Sequence, residues 1–341
     1  MKSAWLKYLP LLVGILLFTG CNSNGPVADT ADSDPIFKQD PTLKSITEEI
    51  NKTPNDAVLY FQRGRSLQKL KFDSLALKDY KKAVTLDSSK AEYYSAVGDL
   101  LFENKDLSGS IEWIQKAINL KPDDRKAHLK IAKLFLYLQD YPRAFSEINI
   151  VLRKNVYDPE AYFLKGMIYK DTHDTAKAIS NFQTAVQVAP DYREAIVQLG
   201  VLLSSKRDTL AMRYFDNAYA MDTTDVFPIF ARGTFFQEMG DATRAKAEYR
   251  RCIIKNRHYT NAYFNMGYLL MQEDSVAKAW RQYDMVVKNS PGNPAAYFNR
   301  GLCSEMMDSL NNAIDDYRTA NKLDSNFDKP KLALKRLKVK Q

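Results

Sequence analysis

A motif of 34 residues, clearest in residues 159–192, recurs along most of the 341-residue sequence. Within this motif, two sets of aromatic or small side chains stand three or four positions apart, and a short polar stretch separates the sets. Such spacing places the members of each set on one face of an α-helix. The first set is Tyr162, Gly166 and Tyr169, and the second is Ala178, Phe182 and Ala185. Each copy of the motif is therefore predicted to form two short amphipathic helices.

A small residue recurs at one position of every first helix, which predicts that the two helices cross closely there. These residues are Gly64, Gly98, Ala132, Gly166, Gly200, Gly233, Gly267 and Gly301. A second small residue opens every second helix, and a bulky side chain follows it four positions later. The small residues are Ala76, Ser110, Ala144, Ala178, Ala211, Ala245, Ala279 and Ala313. The bulky residues are Tyr80, Ile114, Ile148, Phe182, Phe215, Tyr249, Tyr283 and Tyr317.

Aligned on these positions, the sequence divides into eight repeats, which we number 1 to 8. They span residues 57–90, 91–124, 125–158, 159–192, 193–225, 226–259, 260–293 and 294–327. Repeat 5 is one residue shorter than the others, and we expect the missing residue to fall in the turn at residues 207–210. In repeat 4, Asp174 is placed to cap the second helix.

This arrangement resembles the tetratricopeptide repeat, whose pattern requires an aromatic residue, Leu-Gly, Tyr, Ala, Phe or Tyr, Ala and Pro. Repeat 4 departs from it only at Lys165, and the resemblance extends over about residues 57–325. The matching residues are Tyr162, Gly166, Tyr169, Ala178, Phe182, Ala185 and Pro190. The resemblance implies an all-α fold, a right-handed superhelical α-solenoid of about eight helix pairs. It also implies that the first helices line a concave groove that binds a partner protein or an extended peptide.

Two further helices are predicted to cap this array, as the ends of a solenoid require. Residues 42–56 contain a helix in phase with the second helices of the repeats. Residues 328–341 form a basic capping helix and tail, in which three leucines alternate with lysine and arginine. An alternative role for the C-terminal helix is a basic contact with anionic lipid or with a partner.

Residues 17–21, Leu-Phe-Thr-Gly-Cys, are similar to the lipobox of bacterial lipoproteins. Residues 1–20 carry Lys2 and Lys7, then an apolar run too short to span a bilayer, and are predicted to be a lipoprotein signal peptide. Cys21 is the predicted site of lipid attachment, and residues 21–41 are predicted to be a flexible tether. The alternatives are a leader cleaved elsewhere or a short uncleaved anchor. The predicted location is the bacterial envelope, with the protein exported and lipid-anchored at the periplasmic face of the outer membrane.

No catalytic, metal-binding or cofactor-binding residues are predicted. His128, His173 and His258 lie in different repeats without a second ligand at metal-binding spacing, and no phosphate-binding loop or nucleophile motif is present. Cys252 and Cys303 are expected to be isolated buried thiols. The net charge of +8 does not form a continuous basic stripe, because its sign alternates between the first three repeats. Nucleic acid and small-molecule substrates are therefore not expected as partners.

The predicted protein-binding groove is lined by the residue that comes directly after the aromatic core position of each first helix. Five of these eight residues are aromatic, and one more aromatic residue lies one turn further along. The predicted groove residues are Phe61, Phe163, Phe230, Phe264, Tyr268 and Phe298. The alternative is that these rings fill space between adjacent first helices.

Together these features predict a non-enzymatic scaffold or adaptor, tethered to a membrane and presenting an aromatic groove. The family resemblance suggests partners in cell-wall, secretion or surface-appendage machinery. A periplasmic co-chaperone that holds extended segments of exported proteins is the alternative function.

Overall fold

The computed structural model describes residues 34–337, and this part of the chain contains nineteen α-helices and no β-strand. The all-helical fold predicted from the sequence is confirmed. The chain divides into two compact modules, of which the first ends at Leu120 and the second begins at Lys121.

The first module contains repeats 1 and 2. Its helices are α1 (Ile36–Gln39), α2 (Pro41–Lys52), α3 (Ala57–Lys69), α4 (Asp73–Leu86), α5 (Ala91–Glu103) and α6 (Leu107–Leu120). In each repeat the first helix packs on the second, and α2 packs on α3. Leu43 of α2 is completely buried in the core that these helices share.

Helix α1 corrects part of the predicted tether 21–41. The Asp34 carboxylate accepts a hydrogen bond from the Ile36 amide, and the Phe37 ring is buried in the core of the first module. The Arg63 guanidinium carbon lies 4.7 Å from the centre of that ring. The chain is therefore anchored four residues before α2 begins. The remainder of the tether, the signal peptide 1–20 and Cys21 lie outside the described residues.

The second module contains repeats 3 to 8. Its helices are α7 (Arg125–Tyr137), α8 (Tyr141–Lys154), α9 (Pro159–Asp171), α10 (Thr175–Val188), α11 (Arg193–Ser205), α12 (Ala211–Met221), α13 (Phe227–Glu238), α14 (Ala242–Lys255), α15 (Thr260–Gln272), α16 (Val276–Asn289), α17 (Pro294–Met306), α18 (Leu310–Leu323) and α19 (Asp328–Arg336). Consecutive helices pack in pairs, and α19 covers α18 with Ala333 and Leu334 buried. Residues 338–341 of the predicted basic tail lie outside the described residues.

The crossing glycines allow the second-helix aromatic rings to reach the first-helix backbone. A Cβ atom built on Gly166 would lie 2.6 Å from the Phe182 ring, and one on Gly233 would lie 2.5 Å from the Tyr249 ring. Both distances are far below van der Waals contact, so any side chain at these positions displaces a buried ring. Phe182 and Tyr249 are fully buried, which leaves the rings no free space.

Repeat 5 differs from its neighbours at the start of its second helix. Helix α12 has 11 residues, whereas α10 and α14 have 14. Ala211 is the first residue of α12, although the equivalent Ala178 and Ala245 are fourth in their helices. The shortening therefore removes the first turn of α12.

Two residues after the end of each first helix lies a residue with positive φ. These residues are Lys71, Lys105, Gln139, His173, Arg207, Gly240, Asp274 and Asp308. In repeat 4, φ is 61° at His173, and the next amide, of Asp174, donates a hydrogen bond of 2.8 Å to the Tyr169 carbonyl. The Asp174 carboxylate then accepts from the Lys177 amide and caps α10, as predicted. Glycine is the residue with least strain in this conformation, yet only repeat 6 has it.

We expect His173→Gly to stabilise the protein by about 0.5 to 1 kcal/mol. The substitution relieves the left-handed strain, which costs about 1 kcal/mol or more, and part of this gain is offset by the greater entropy of glycine in the unfolded chain. Asp171→Gly, two residues earlier at the last position of α9, is the matched control and should destabilise by up to about 1 kcal/mol. Equilibrium denaturation of both variants checks the signs, and a shift in the same direction for both would contradict the explanation.

Arginine replaces the leucine of the family pattern in repeats 1, 6 and 8, and each arginine binds a second-helix carboxylate sixteen residues later. Arg63 Nε lies 2.7 Å from Asp79, Arg232 Nη2 lies 2.9 Å from Glu248, and Arg300 Nε lies 2.9 Å from Asp316. Two of them also reach the second helix of the preceding repeat, since Arg232 binds Asp216 and Arg300 Nη1 lies 2.8 Å from Asp284. We call these three residues the arginine clamps. The hydrogen bond to Asp316 is the main cause of a raised pKa at Arg300.

Candidate protein-binding surface

The five predicted groove phenylalanines are half-buried, and each packs against the bulky aromatic residue of its own second helix. The ring centres are 5.4 to 5.7 Å apart. The pairs are Phe61 with Tyr80, Phe163 with Phe182, Phe230 with Tyr249, Phe264 with Tyr283 and Phe298 with Tyr317.

Four of these rings also contact a second aromatic residue, which lies between the second helix and the next helix or, for Phe61, in the next first helix. Phe163 lies 5.2 Å from Tyr192, Phe230 lies 5.4 Å from Tyr259, and Phe298 lies 5.4 Å from Phe327. In the first module, Phe61 lies 4.8 Å from Tyr93. These phenylalanines therefore pack against aromatic rings rather than standing free in solvent. In repeats 4, 6 and 8 the second ring belongs to the last residue of the same repeat.

We expect Phe264→Ala to destabilise the protein by about 2 kcal/mol. Full burial of phenylalanine would predict about 3 to 5 kcal/mol for truncation to alanine, and a ring that still meets solvent contributes less. Asn261→Ala, at an exposed position of the same helix, is the control and should change stability by less than about 0.5 kcal/mol. Thermal denaturation compares them, and equal melting temperatures would show that the Phe264 ring carries no packing energy.

Tyr268 is the predicted groove residue that faces solvent most openly. Its side chain is 46% exposed, and its hydroxyl accepts a hydrogen bond of 2.9 Å from Gln272 Nε2. The equivalent residues of the neighbouring first helices are half-buried. They are Met167, Val201, Thr234 and Leu302. We call these five residues the first-helix surface; four of them are apolar or aromatic.

A cleft of about 220 Å³ opens in this surface between α11 and α13. Val201 and Thr234 of the first-helix surface line it together with Phe230 of the predicted groove. The fully buried Phe215 of α12 also lines the cleft. The other lining residues are Ser204, Ser205, Phe227, Ala231 and Glu238.

The small side chains of repeat 5 account for the position of this cleft. Repeat 5 has Val197 and Val201 where repeat 7 has Phe264 and Tyr268. The short Val201 side chain lines the cleft together with the Phe230 ring of the next first helix, and Val197 lies outside the lining. The repeat alignment predicts Phe230 as a groove residue but does not predict the cleft, because the residues equivalent to Val201 vary from charged to aromatic and a small one among them is not distinctive.

The histidines occupy separate environments. His128 is buried, with Nδ1 2.6 Å from Glu147 and Nε2 2.8 Å from the Pro122 carbonyl. His173 lies in the turn after α9, and exposed His258 bonds to Asn289. Within residues 34–337, no group of three or more histidine, cysteine or acidic residues is arranged to hold a metal ion.

Cys252 and Cys303 are both free and buried, as predicted. Burial raises the pKa of each thiol to about 12, so both remain protonated at neutral pH. In the part of the chain that the structure describes, no helix combines the length and the apolar character needed to cross a membrane.

Comparison with known sequences connects these features to one repeat family. Residues 61–125 and 159–192 match the sequence profiles of the tetratricopeptide repeat. The DnaJ protein P58IPK homolog A of Oryza sativa subsp. japonica is 26% identical over 172 residues, which are 47% of this chain and 36% of the relative. Tetratricopeptide repeat protein 16 of Mus musculus is 23% identical over 311 residues, which are 85% of this chain and 38% of the relative. The chain thus spans little more than a third of the length of these relatives.

Two solved structures share the fold. A tetratricopeptide repeat protein from Parabacteroides merdae superposes with a TM-score of 0.54 at 16% identity, covering 72% of this chain and 97% of that protein. PilW, described as a widely conserved type IV pilus biogenesis factor, gives a TM-score of 0.53 at 17% identity, covering 62% and 98%. The profile matches thus indicate tetratricopeptide repeats at residues 61–125 and 159–192, and the two solved structures share the fold.

Proposed function

We propose that this protein is a non-enzymatic adaptor that binds a partner protein or an extended peptide on its first-helix surface. The observation that carries the proposal is the exposed Tyr268 side chain in a row of apolar residues on successive first helices. An apolar strip of this kind usually marks an interaction surface, and tyrosine is among the residues favoured at the centres of interfaces. Proteins built from tetratricopeptide repeats are protein-interaction scaffolds, which supports the same proposal.

Site-specific photocrosslinking in cells tests this function. A photoreactive phenylalanine analogue in place of Tyr268 should form a discrete adduct with one partner. The matched control is the same analogue at Ile254, which is 70% exposed on the second helix α14. An adduct from position 268 that is missing from position 254 supports the proposal, and identical adducts or none from position 268 refute it.

The number of adducts distinguishes an adaptor from a co-chaperone that holds extended segments of exported proteins. An adaptor has a defined partner and should give one main adduct. A holding co-chaperone should give many adducts of different mass from the same position. Partners in cell-wall, secretion or surface-appendage machinery are the classes that we propose for the adaptor.

We further propose that the protein is exported to the bacterial envelope and anchored by lipid on Cys21, at the periplasmic face of the outer membrane. The charged leader, the short apolar run and the small residues before Cys21 support this proposal. Cys21→Ser should release the protein from the membrane fraction or leave the leader uncleaved. Intact-mass measurement of membrane-extracted protein checks the modification, and an unmodified N-terminus at another residue would exclude it.

A further inference from the structure

One side of the cleft between α11 and α13 is polar. The side-chain oxygens on that side can accept hydrogen bonds from a ligand. Ser205 Oγ donates to the Leu202 carbonyl, and Thr234 Oγ1 donates to the Ala231 carbonyl, both at 2.8 Å. A hydroxyl has a single proton to donate, so both oxygens have only acceptor capacity left for a ligand. Glu238 adds carboxylate oxygens, and among the described residues no hydrogen bond or ion pair engages its side chain. A group that enters beside these atoms must bring donors.

The charge of the cleft is negative. Glu238 is its one charged lining residue, and it is exposed at the end of α13. Lys206 and Arg207, in the turn after α11, and Arg232 of α13 are close to lining residues along the chain but do not line the cleft. Arg232 is already paired with Asp216 and Glu248. A positively charged ligand group is therefore favoured over a neutral or acidic one.

The opposite side of the cleft is apolar and aromatic. Phe227 and Phe230 are half-buried, so part of each ring faces outward, and Val201 completes this wall. Aromatic faces attract cations and pack well against a methylene chain. The volume of about 220 Å³ is of the order of one long side chain rather than a folded segment.

We propose that this cleft receives one arginine side chain of the partner. This inference rests on the proposed function, because it names a chemical feature of the partner that the first-helix surface binds. The methylene chain of the arginine packs on the two phenylalanines and the guanidinium donates to Glu238, Thr234 and Ser205. Arginine suits the cleft better than lysine, because its planar group stacks on aromatic rings and offers five donors in a fixed arrangement.

The probe is a library of random dodecapeptides displayed on phage. It is selected for binding to the full-length protein. We expect the enriched peptides to share an arginine. One enriched peptide is then synthesised twice, once with arginine and once with citrulline, which keeps the shape but carries no charge. The wild-type protein should bind the arginine peptide about tenfold or more tightly, as expected for a hydrogen bond between charged groups.

Variants of the cleft connect this preference to the site. Glu238→Gln should bring the arginine-to-citrulline affinity ratio close to one, and Thr234→Val, which keeps the shape of threonine, should weaken the binding of both peptides. Glu194→Gln is the matched control, because Glu194 is exposed on α11 outside the cleft and its loss should leave the ratio unchanged. Circular dichroism confirms that the variants are folded.

Several outcomes would overturn the inference. It fails if no peptide is enriched, if lysine or an uncharged residue replaces arginine in the enriched set, or if Glu238→Gln leaves the ratio unchanged. If position 268 still crosslinks to a single partner in cells in any of these cases, the adaptor function stands and only the arginine site is wrong. If position 268 gives no specific adduct while the peptide preference depends on Glu238, the adaptor surface is wrong and the arginine site remains.

Discussion

Gly166→Leu should destabilise the protein by about 3 kcal/mol or more. The Phe182 ring occupies the space that a Cβ atom would need, at 2.6 Å, and a leucine adds three further carbon atoms in the same direction. Overpacking of a dense core costs about 1 to 3 kcal/mol, and more where the surroundings cannot move. Phe182 is fully buried, so the two helices must separate or the ring must leave the core.

Chemical denaturation of Gly166→Leu and of Gln183→Leu measures this effect. Gln183 is exposed on α10, so the control introduces the same side chain on the same helix pair without a clash. Matching midpoints for the two variants would mean that Gly166 does not lie at the helix crossing. Because each repeat contacts mainly its neighbours, the damage from Gly166→Leu should be strongest in repeats 3 to 5.

Arg300→Met should destabilise the protein by about 3 to 5 kcal/mol. The substitution removes the partner of two carboxylates, and the Asp316 and Asp284 side chains are only 9% and 13% exposed. Loss of one member of a buried ion pair costs this much because the remaining charge is left uncompensated. Lys288 still contacts Asp284 at 2.7 Å, so Asp316 suffers most.

Arg318→Met is the control for the arginine clamp. Its nearest carboxylate, Asp315, lies 3.9 Å away, and both side chains are more than half exposed, so we expect a change within about 0.5 kcal/mol. In the background of Arg300→Met, the second substitution Asp316→Leu should recover part of the lost stability by removing the buried charge. A double variant that is less stable than Arg300→Met would argue against a charge effect.

The helix pairs could be predicted from sequence because each one depends on apolar and small residues spaced three or four positions apart. The same spacing recurs in all eight repeats. Helix α1 could not be predicted in this way, since four residues are too few to show a periodic pattern. Phe37 is held in the core by contacts with residues far away in sequence, such as Arg63. The positive-φ turns escaped prediction for another reason. Seven of the eight use residues other than glycine, so the usual sequence signal of this conformation is missing.

The arginine clamps also escaped prediction, because a charged residue in an apolar position of the family pattern looks like a simple departure from it. Only the pairing of Arg63 with Asp79, Arg232 with Glu248 and Arg300 with Asp316 gives those departures a common explanation. The spacing of sixteen residues is present in the sequence and would have indicated the contact.

The candidate surface was predicted only in part. The position of Phe230 and its equivalents on the first helices followed from the repeat alignment, but the degree of burial also depends on an aromatic residue after the second helix, such as Tyr259. The cleft depends on side-chain bulk that Val201 lacks in comparison with the equivalent Tyr268. Periodicity identifies residues that are present, and it does not measure the space left between them.

The clamps at Arg232 and Arg300 have a consequence for the order in which amide protons exchange with solvent. Each of these arginines joins the second helices of two successive repeats, α12 with α14 and α16 with α18. Opening α18 alone would break the Arg300–Asp316 ion pair and leave Arg300 with Asp284 as its remaining carboxylate partner, so α16 to α18 should open as one cooperative block. In repeats 3 and 4, Ile131 and Lys165 take the place of a clamp, so α8 and α10 should exchange more independently of each other, although Arg125 and Lys133 still pair with Glu160 between the first helices.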